Sequence, residues 1–273
     1  MSNPYSSSEN GPQLCDSWFC FLDVLGFTEI LKKNELSTIS EFHSLLRRSR
    51  SALEGRHDDY DVEDYQWHKL TAFTDNIVLG VPISGDGESE SGLIFDRLAE
   101  FQLNMVLGGF FIRGGLSFGG AYIDDYAVYG PALLDAHTAE SKIANDPRIV
   151  LTDSAKTKIQ AHLEYYTRQP HAPQNHFLKK DRDGAWFVNY LEQTILDLSS
   201  DNPVIAFDAI SRHAEMVSHK LQDFQEIPRI WRKYEWVARY HNDFCRSHEE
   251  FIGEDYAIEI ETLTGGFRSI LDT

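Results

Sequence analysis

Two apolar runs in this sequence each stop at an aspartate, where a buried strand would otherwise take an apolar side chain. In Trp18-Phe19-Cys20-Phe21-Leu22-Asp23-Val24-Leu25-Gly26-Phe27-Thr28 the run halts at Asp23, turns through Gly26 and passes into a helical pattern. In Lys69-Leu70-Thr71-Ala72-Phe73-Thr74-Asp75-Asn76-Ile77-Val78-Leu79 an Asp-Asn turn joins two strand-like runs. A strand that feeds a helix, followed by a hairpin with acid at its tip, calls for a layered domain. In such a domain the two acidic strand ends can stand side by side.

Periodicity supplies the remaining elements. Residues 17–23 read as a buried strand and 28–53 as an amphipathic helix, with Ile30, Leu31, Phe42, Leu45 and Leu46 at helical spacing. A charged loop spans 57–64, a hairpin 65–73 and 77–82, and an acidic loop 84–91. The segment 93–107 is a helix with Ile94, Leu98, Phe101 and Met105 on one face. Phe110 to Ile123 reads as strand, turn, strand, with glycines where chains approach closely. Gly130-Pro131 starts a helix over 132–143. A strand at 149–152 and a helix at 154–162 come next, then a hairpin, 177–181 and 186–191, across Asp183-Gly184. Beyond Pro203 the pattern is helical to about Glu250, with a break near Pro228.

The order β-α-ββ-α-ββ-α predicts an α+β fold, an antiparallel-rich sheet with helices packed on one face. Residues 14–200 form this unit, and 201–273 a helical extension packed on it. Residues 1–13, small and polar, form a flexible tail.

Composition narrows the function. At 42% hydrophobic and 12% aromatic the chain can bury a full core. No apolar run is long enough to span a bilayer, and no leader-like segment opens the chain, so no membrane partner is expected. A net charge of −18 speaks against a nucleic-acid partner, which needs a basic face. A small anionic substrate remains open, because a metal ion and a few lysines outweigh the global field locally. The cysteines, Cys15, Cys20 and Cys245, are odd in number and lack metal spacing, which fits reduced thiols in a cytoplasmic protein.

Asp23 and Asp75 at strand tips, beside a turn whose N–H groups from Leu25 to Thr28 can receive phosphate, suit two-metal phosphoryl transfer. Taken singly, each aspartate is equally at home as an ordinary cap or turn residue. His68, His137 and His176 have no metal-ligand spacing and read as surface or satisfied core histidines. The stripe Trp231, Tyr234, Trp236 and Tyr240 reads as core or dimer packing.

The stretch Phe21-Leu22-Asp23-Val24-Leu25-Gly26-Phe27-Thr28 resembles the first metal motif of the class III nucleotide cyclases, Phe-x-Asp-x-x-Gly-Phe-Thr. Thr74-Asp75-Asn76 falls where that family carries its second metal aspartate. Arg113-Gly114-Gly115-Leu116-Ser117-Phe118-Gly119 is similar to its Arg-x-Gly-Ile-x-x-Gly hairpin, and Tyr129-Gly130-Pro131-Ala132 stands at the start of its later helix. The resemblance covers roughly residues 17–190. It implies a ferredoxin-like palm and a homodimer with composite active sites at its interface. It also implies two divalent cations, Mg²⁺ or Mn²⁺, on Asp23, Asp75 and the Val24 carbonyl.

Departures from the family pattern bear on the substrate. The places that read a purine base correspond to Thr71 and Ala127, which lack the required donors and acceptors, with Lys69 nearby on the same strand face. The transition-state asparagine and arginine correspond to Leu134 and Thr138, leaving His137 or Lys142 as substitutes. Lys179, Lys180 and Arg182 are candidates for gripping the outer phosphates, and a solvated turn is the even alternative. Arg113 reads as a structural cross-strand or interface pair. This profile resembles the bacterial pyrimidine cyclases of Pycsar anti-phage defence, and implies a uridylate cyclase that turns UTP into 3′,5′-cyclic UMP for a separate effector protein. A cytidylate cyclase making cyclic CMP, or a non-catalytic nucleotide-sensing dimer, are the alternatives. No Gly-Gly-Asp/Glu-Glu-Phe signature of a diguanylate cyclase occurs.

Overall fold

The alternation of apolar residues through Cys15–Val24 builds the central strand, β1, of a mostly antiparallel open sheet. The computed structural model describes residues 3–7, 11–33, 36–54, 68–73, 75–169, 172–197, 204–260 and 266–272. The charged loop expected at 57–64, and residues 65–67 of the following strand, lie outside that set. After β1 come helices α1 (Phe27–Lys33) and α2 (Leu36–Glu54), where the sequence suggested one helix. The hairpin β2 (Lys69–Phe73) and β3 (Asn76–Pro82) leads into α3 (Glu88–Leu107). This helix begins inside the expected acidic loop, because Glu88 and Glu90 suit the positive end of a helix dipole.

Strand β4 (Ile112–Ile123) corrects the strand-turn-strand reading: it runs unbroken through its glycines, paired with β1 from Cys15↔Ala121 to Val24↔Ile112. Gly115 is small because α4 (Pro131–Lys142) crosses there. A Cβ at 115 would strike the Ala136 carbonyl oxygen and come within 2.8 Å of the Ala139 methyl. Ser117 completes the seat by donating its hydroxyl hydrogen to the Ala132 carbonyl at 2.6 Å. The main path of the sheet also takes in β5 (Ile149–Leu151), β6 (Leu178–Lys180), β7 (Trp186–Val188) and β8 (Arg268–Ser269), with α5 (Asp153–Tyr165) after β5. Sheet order is β8-β6-β7-β5-β4-β1-β3-β2, and only β4 and β5 run parallel.

Helices cover both faces, not one. Even-numbered β1 residues (Trp18, Cys20, Leu22, Val24) enter the main core with α2, α3 and α5, while Phe19 and Phe21 face Ala132 and Ala136 of α4. Asp23 shares the α4 side. The tail expected to be flexible contributes Tyr5 to this second face: it is 1% exposed, with its hydroxyl donating to Ser17 Oγ at 3.0 Å.

Helices α6 (Phe207–Asp223) and α7 (Pro228–Ser247) join the main core. Tyr234, Trp236 and Tyr240 are buried core residues, and Trp231 packs partly buried against them. Arg148, after β4 and before β5, is 1% exposed and ion-paired with Asp181 and Asp183 of the β6–β7 turn. Its guanidinium carbon stands 5.6 Å over the Trp236 ring, whose Nε1–H donates to Asp181 Oδ2 at 2.7 Å.

Between α6 and α7 lies a buried polar chain with one possible proton order. The Tyr256 carbonyl can only accept, so His241 donates to it from Nε2 at 2.8 Å. His241 Nδ1 then accepts from His213 Nδ1 at 3.0 Å, and His213 Nε2 accepts the Tyr190 hydroxyl at 2.8 Å. Among the described residues, no helix is long and apolar enough to cross a membrane.

Candidate active site

Asp23, next to last in β1, lies in register between Asn76 of β3 and Arg113 of β4. Asp75 occupies the β2–β3 turn, one residue before that Asn76. The hairpin thus carries the second carboxylate to the end of the first. Arg113 Nε donates to Asp23 Oδ2 at 2.9 Å, and its Nη2 stands 2.7 Å from Glu140 Oε1 of α4. The expected cross-strand pairing of Arg113 therefore forms, and its partner is Asp23 itself.

Electrostatics tie the two aspartates together. Burial raises the Asp23 carboxyl above its usual range, Arg113 opposes this, and the charge and side-chain contact of Asp75 push it up again. Glu140, only 4% exposed, is likewise raised by burial, held back by Arg113 and pushed up by Asp23 and Asp75. Arg113 thus bridges Asp23 and Glu140, and Asp75 adds a further negative charge beside Asp23, a surplus that suits a divalent cation. No cluster of three or more histidine, cysteine or acidic ligands occurs among the described residues. The expected set, two aspartates and the carbonyl of Val24 at the end of β1, needs only the pair.

The phosphate-receiving turn is narrower than expected. The Leu25 N–H is taken by the Phe111 carbonyl at 2.9 Å, so Leu25 leaves the nest. Gly26, Phe27 and Thr28 remain at the start of α1, which is only seven residues long. Gly26 has φ +78° with no atom within 4 Å of a built Cβ, so backbone conformation and not space requires glycine there.

Lys179 and Arg182 turn to the C-terminal extension: Lys179 Nζ lies 4.0 Å from Asp243 of α7, and both cations lower that carboxyl, which burial otherwise raises. Lys180 pairs in register with Trp186 and Arg268. No contact joins these three to Asp23 or Asp75 among the described residues.

The base-reading candidates do come together. Lys69 Nζ donates to Asp125 Oδ1 at 2.6 Å, and the Ala127 N–H of the same turn donates to Asp124 Oδ1 at 2.7 Å. Thr71 follows two residues after Lys69 on the same strand face. Lys69 pairs with Gly80, and Gly80 with Phe19, four residues back from Asp23 and about 13 Å along the strand. His137 is exposed on α4, sets its ring on Phe21 at 5.0 Å and acts electrostatically on Glu140. Lys142 is exposed at the end of α4, and no contact joins it to the pair among the described residues.

Glu140, one helical turn after His137, joins the site although no sequence pattern marks it. Lys233 of α7, in the stretch 233–242 that also resembles the pyrimidine cyclases, feels the Asp23 charge from more than 200 positions further along the chain. A scan against protein-family models finds no match to this chain, nor does a search of curated proteins.

Proposed function

We propose that this protein is a class III-type nucleotide cyclase, a uridylate cyclase that converts UTP to 3′,5′-cyclic UMP and pyrophosphate. One observation carries the reading: Asp75 stands close enough to Asp23 at the strand tip to push its carboxyl up, beside an Arg113 already divided between Asp23 and Glu140. Such a pair fits two Mg²⁺ or Mn²⁺ ions held by Asp23, Asp75 and the Val24 carbonyl. When bound there, the ions supply activation of the ribose 3′-hydroxyl and neutralisation of the triphosphate.

The chain's own residues do the positioning. Arg113 holds Asp23 through one oxygen, Oδ2, and is itself paired with Glu140. Gly26, at positive φ, turns the backbone from β1 into α1, whose first N–H groups have no partner within the helix. Thr71 and Ala127 present no purine-specific pattern, and Lys69, their one cation, is already engaged by Asp125. That supports a pyrimidine base, with a second subunit completing the pocket. In this reading the protein works in the cytoplasm, its three cysteines free thiols, and its product is a messenger for a separate effector in anti-phage defence.

The decisive experiment incubates the protein with Mn²⁺ and equimolar ATP, GTP, CTP and UTP and identifies cyclic products by mass spectrometry. Cyclic UMP that disappears in Asp75→Ala is the expected result. Cyclic AMP as the main product would overturn the base assignment. No product from any nucleotide, with thermal stabilisation by triphosphates, would instead favour a nucleotide-sensing domain.

A further inference from the structure

Helix α7 has so far served only as packing, yet it is pinned to the candidate site. Tyr234 is buried with its ring 4.9 Å from Phe111, and the Phe111 carbonyl holds the Leu25 N–H, two residues after Asp23. The next strand residues after Phe111 are Ile112 and Arg113. The loop before β5 closes the same corner: the Arg148 carbonyl accepts the Gly114 N–H at 3.1 Å, and the Arg148 N–H donates to the Asp146 carbonyl at 2.7 Å.

Lys233 emerges half-buried at this corner, one residue before Tyr234. The charged groups acting on it are Arg113 and Arg229, then Asp146 and Asp23. Asp146 already faces Arg148 at 4.0 Å, and Arg113 is taken by Asp23 and Glu140. Among the described residues no carboxylate lies within ion-pair distance of the Lys233 ammonium. Burial and the two guanidiniums therefore push its pKa down, the mark of a cation crowded by like charge.

For stability alone this arrangement is unfavourable. The first turns of α7 carry Arg229, Arg232 and Lys233 with no acidic residue in the first turn, opposite to what the helix dipole favours. The chain carries a net charge of −18, yet no carboxylate among the described residues pairs with Lys233. A polyanion at the mouth of the Asp23 site would relieve that repulsion. Lys179 lies against Asp243, and Arg182 acts on the same carboxyl, away from the Asp23 end of the sheet.

We propose that Lys233, with Arg229 beside it, receives the outer phosphates of the nucleoside triphosphate bound at the Asp23–Asp75 pair. This deepens the cyclase reading and rests on it. The C-terminal extension thereby becomes part of the substrate site, and Lys233 a binding residue that positions the pyrophosphate leaving group.

The test measures inorganic tripolyphosphate binding by calorimetry in excess Mg²⁺ at fixed ionic strength. The full chain is compared with Lys233→Gln, Lys233→Arg and the surface control Lys156→Gln. Loss of one charge-assisted phosphate contact should weaken binding about tenfold or more in Lys233→Gln, with Lys233→Arg and Lys156→Gln close to wild type. Thermal stability of Lys233→Gln should stay level or rise, whereas a packing role would lower it. With UTP, the same variant should raise KM far more than it lowers kcat. Tripolyphosphate that binds Lys233→Gln as well as wild type, or does not bind wild type at all, overturns the proposal. Arg229 is exposed, so Arg229→Gln carries the same expected weakening should Lys233→Gln not fold. The two readings fail separately. Lys233-dependent tripolyphosphate binding without cyclic product from any nucleotide sinks the cyclase and leaves the anion site. Cyclic UMP formation with unaltered tripolyphosphate binding does the reverse.

Discussion

Replacing Arg148 with methionine should be among the most damaging single changes in this protein. The guanidinium is buried, paired with Asp181 and Asp183, and stacked over Trp236. Methionine keeps most of the stem and all of the backbone, so the Asp146 and Gly114 hydrogen bonds survive. Asp181, whose side chain is 7% exposed, is then left with two donors, the Trp236 Nε1–H and the Arg182 N–H, and no counter-charge. Stranding one member of a buried pair costs about 3–5 kcal/mol. Asp183 is half exposed and adds little, since water screens it. For a chain of this size that corresponds to a fall in Tm of roughly 6–20 °C. The assay is urea and thermal denaturation followed by circular dichroism. A second variant isolates the cause: Arg148→Met with Asp181→Asn removes the charge and keeps an acceptor for one of the two donors, which bond to different oxygens of Asp181. It should recover part of the loss. A single variant that loses under about 1 kcal/mol, or a double variant no better than the single, would refute the reasoning.

Three further outcomes are expected. Burial holds His213 and His241 neutral, His241 near a pKa of about 4, so their contribution is complete above the unfolded value of about 6.5. It should fall by up to roughly 1.4 kcal/mol per pH unit per histidine below that, and urea midpoints taken from about pH 7.5 to 4.5 would expose a flat profile as a contradiction. Gly115→Ala should cost about 1–3 kcal/mol, because its Cβ meets the α4 backbone, whereas Gly184→Ala, with φ +82° and open space, should cost only about 1 kcal/mol; equal losses in denaturation would deny the close approach of α4. Arg113→Gln should lose about 2 kcal/mol near neutral pH, and the loss should shrink toward pH 5, where Asp23 and Glu140, already raised, take up protons instead; a pH-independent loss would contradict their shared dependence on Arg113.

Features that depend on neighbours in sequence were legible in the chain alone. The alternation through Trp18–Val24, the stop at Asp23, the Asp75-Asn76 turn and the Gly130-Pro131 start all express local backbone and burial preferences. Their structural outcomes are β1, the β2–β3 turn and α4. The aromatic stripe of α7 likewise announced its own burial.

What only the tertiary structure decided are pairings between distant parts of the chain. Glycines at 114 and 115 read equally as a turn or as a close approach, and α4 crossing the second face of the sheet is what makes β4 continuous. Lys179 and Arg182 read as phosphate ligands or a solvated turn until α7 brings Asp243 to them, and only the docking of Tyr234 on Phe111 carries Lys233 toward the Asp23 end of β1. Period and polarity encode whether a residue is buried. A charged side chain, by contrast, carries no local mark of its partner, because Coulomb attraction acts through space between groups that only folding brings within reach.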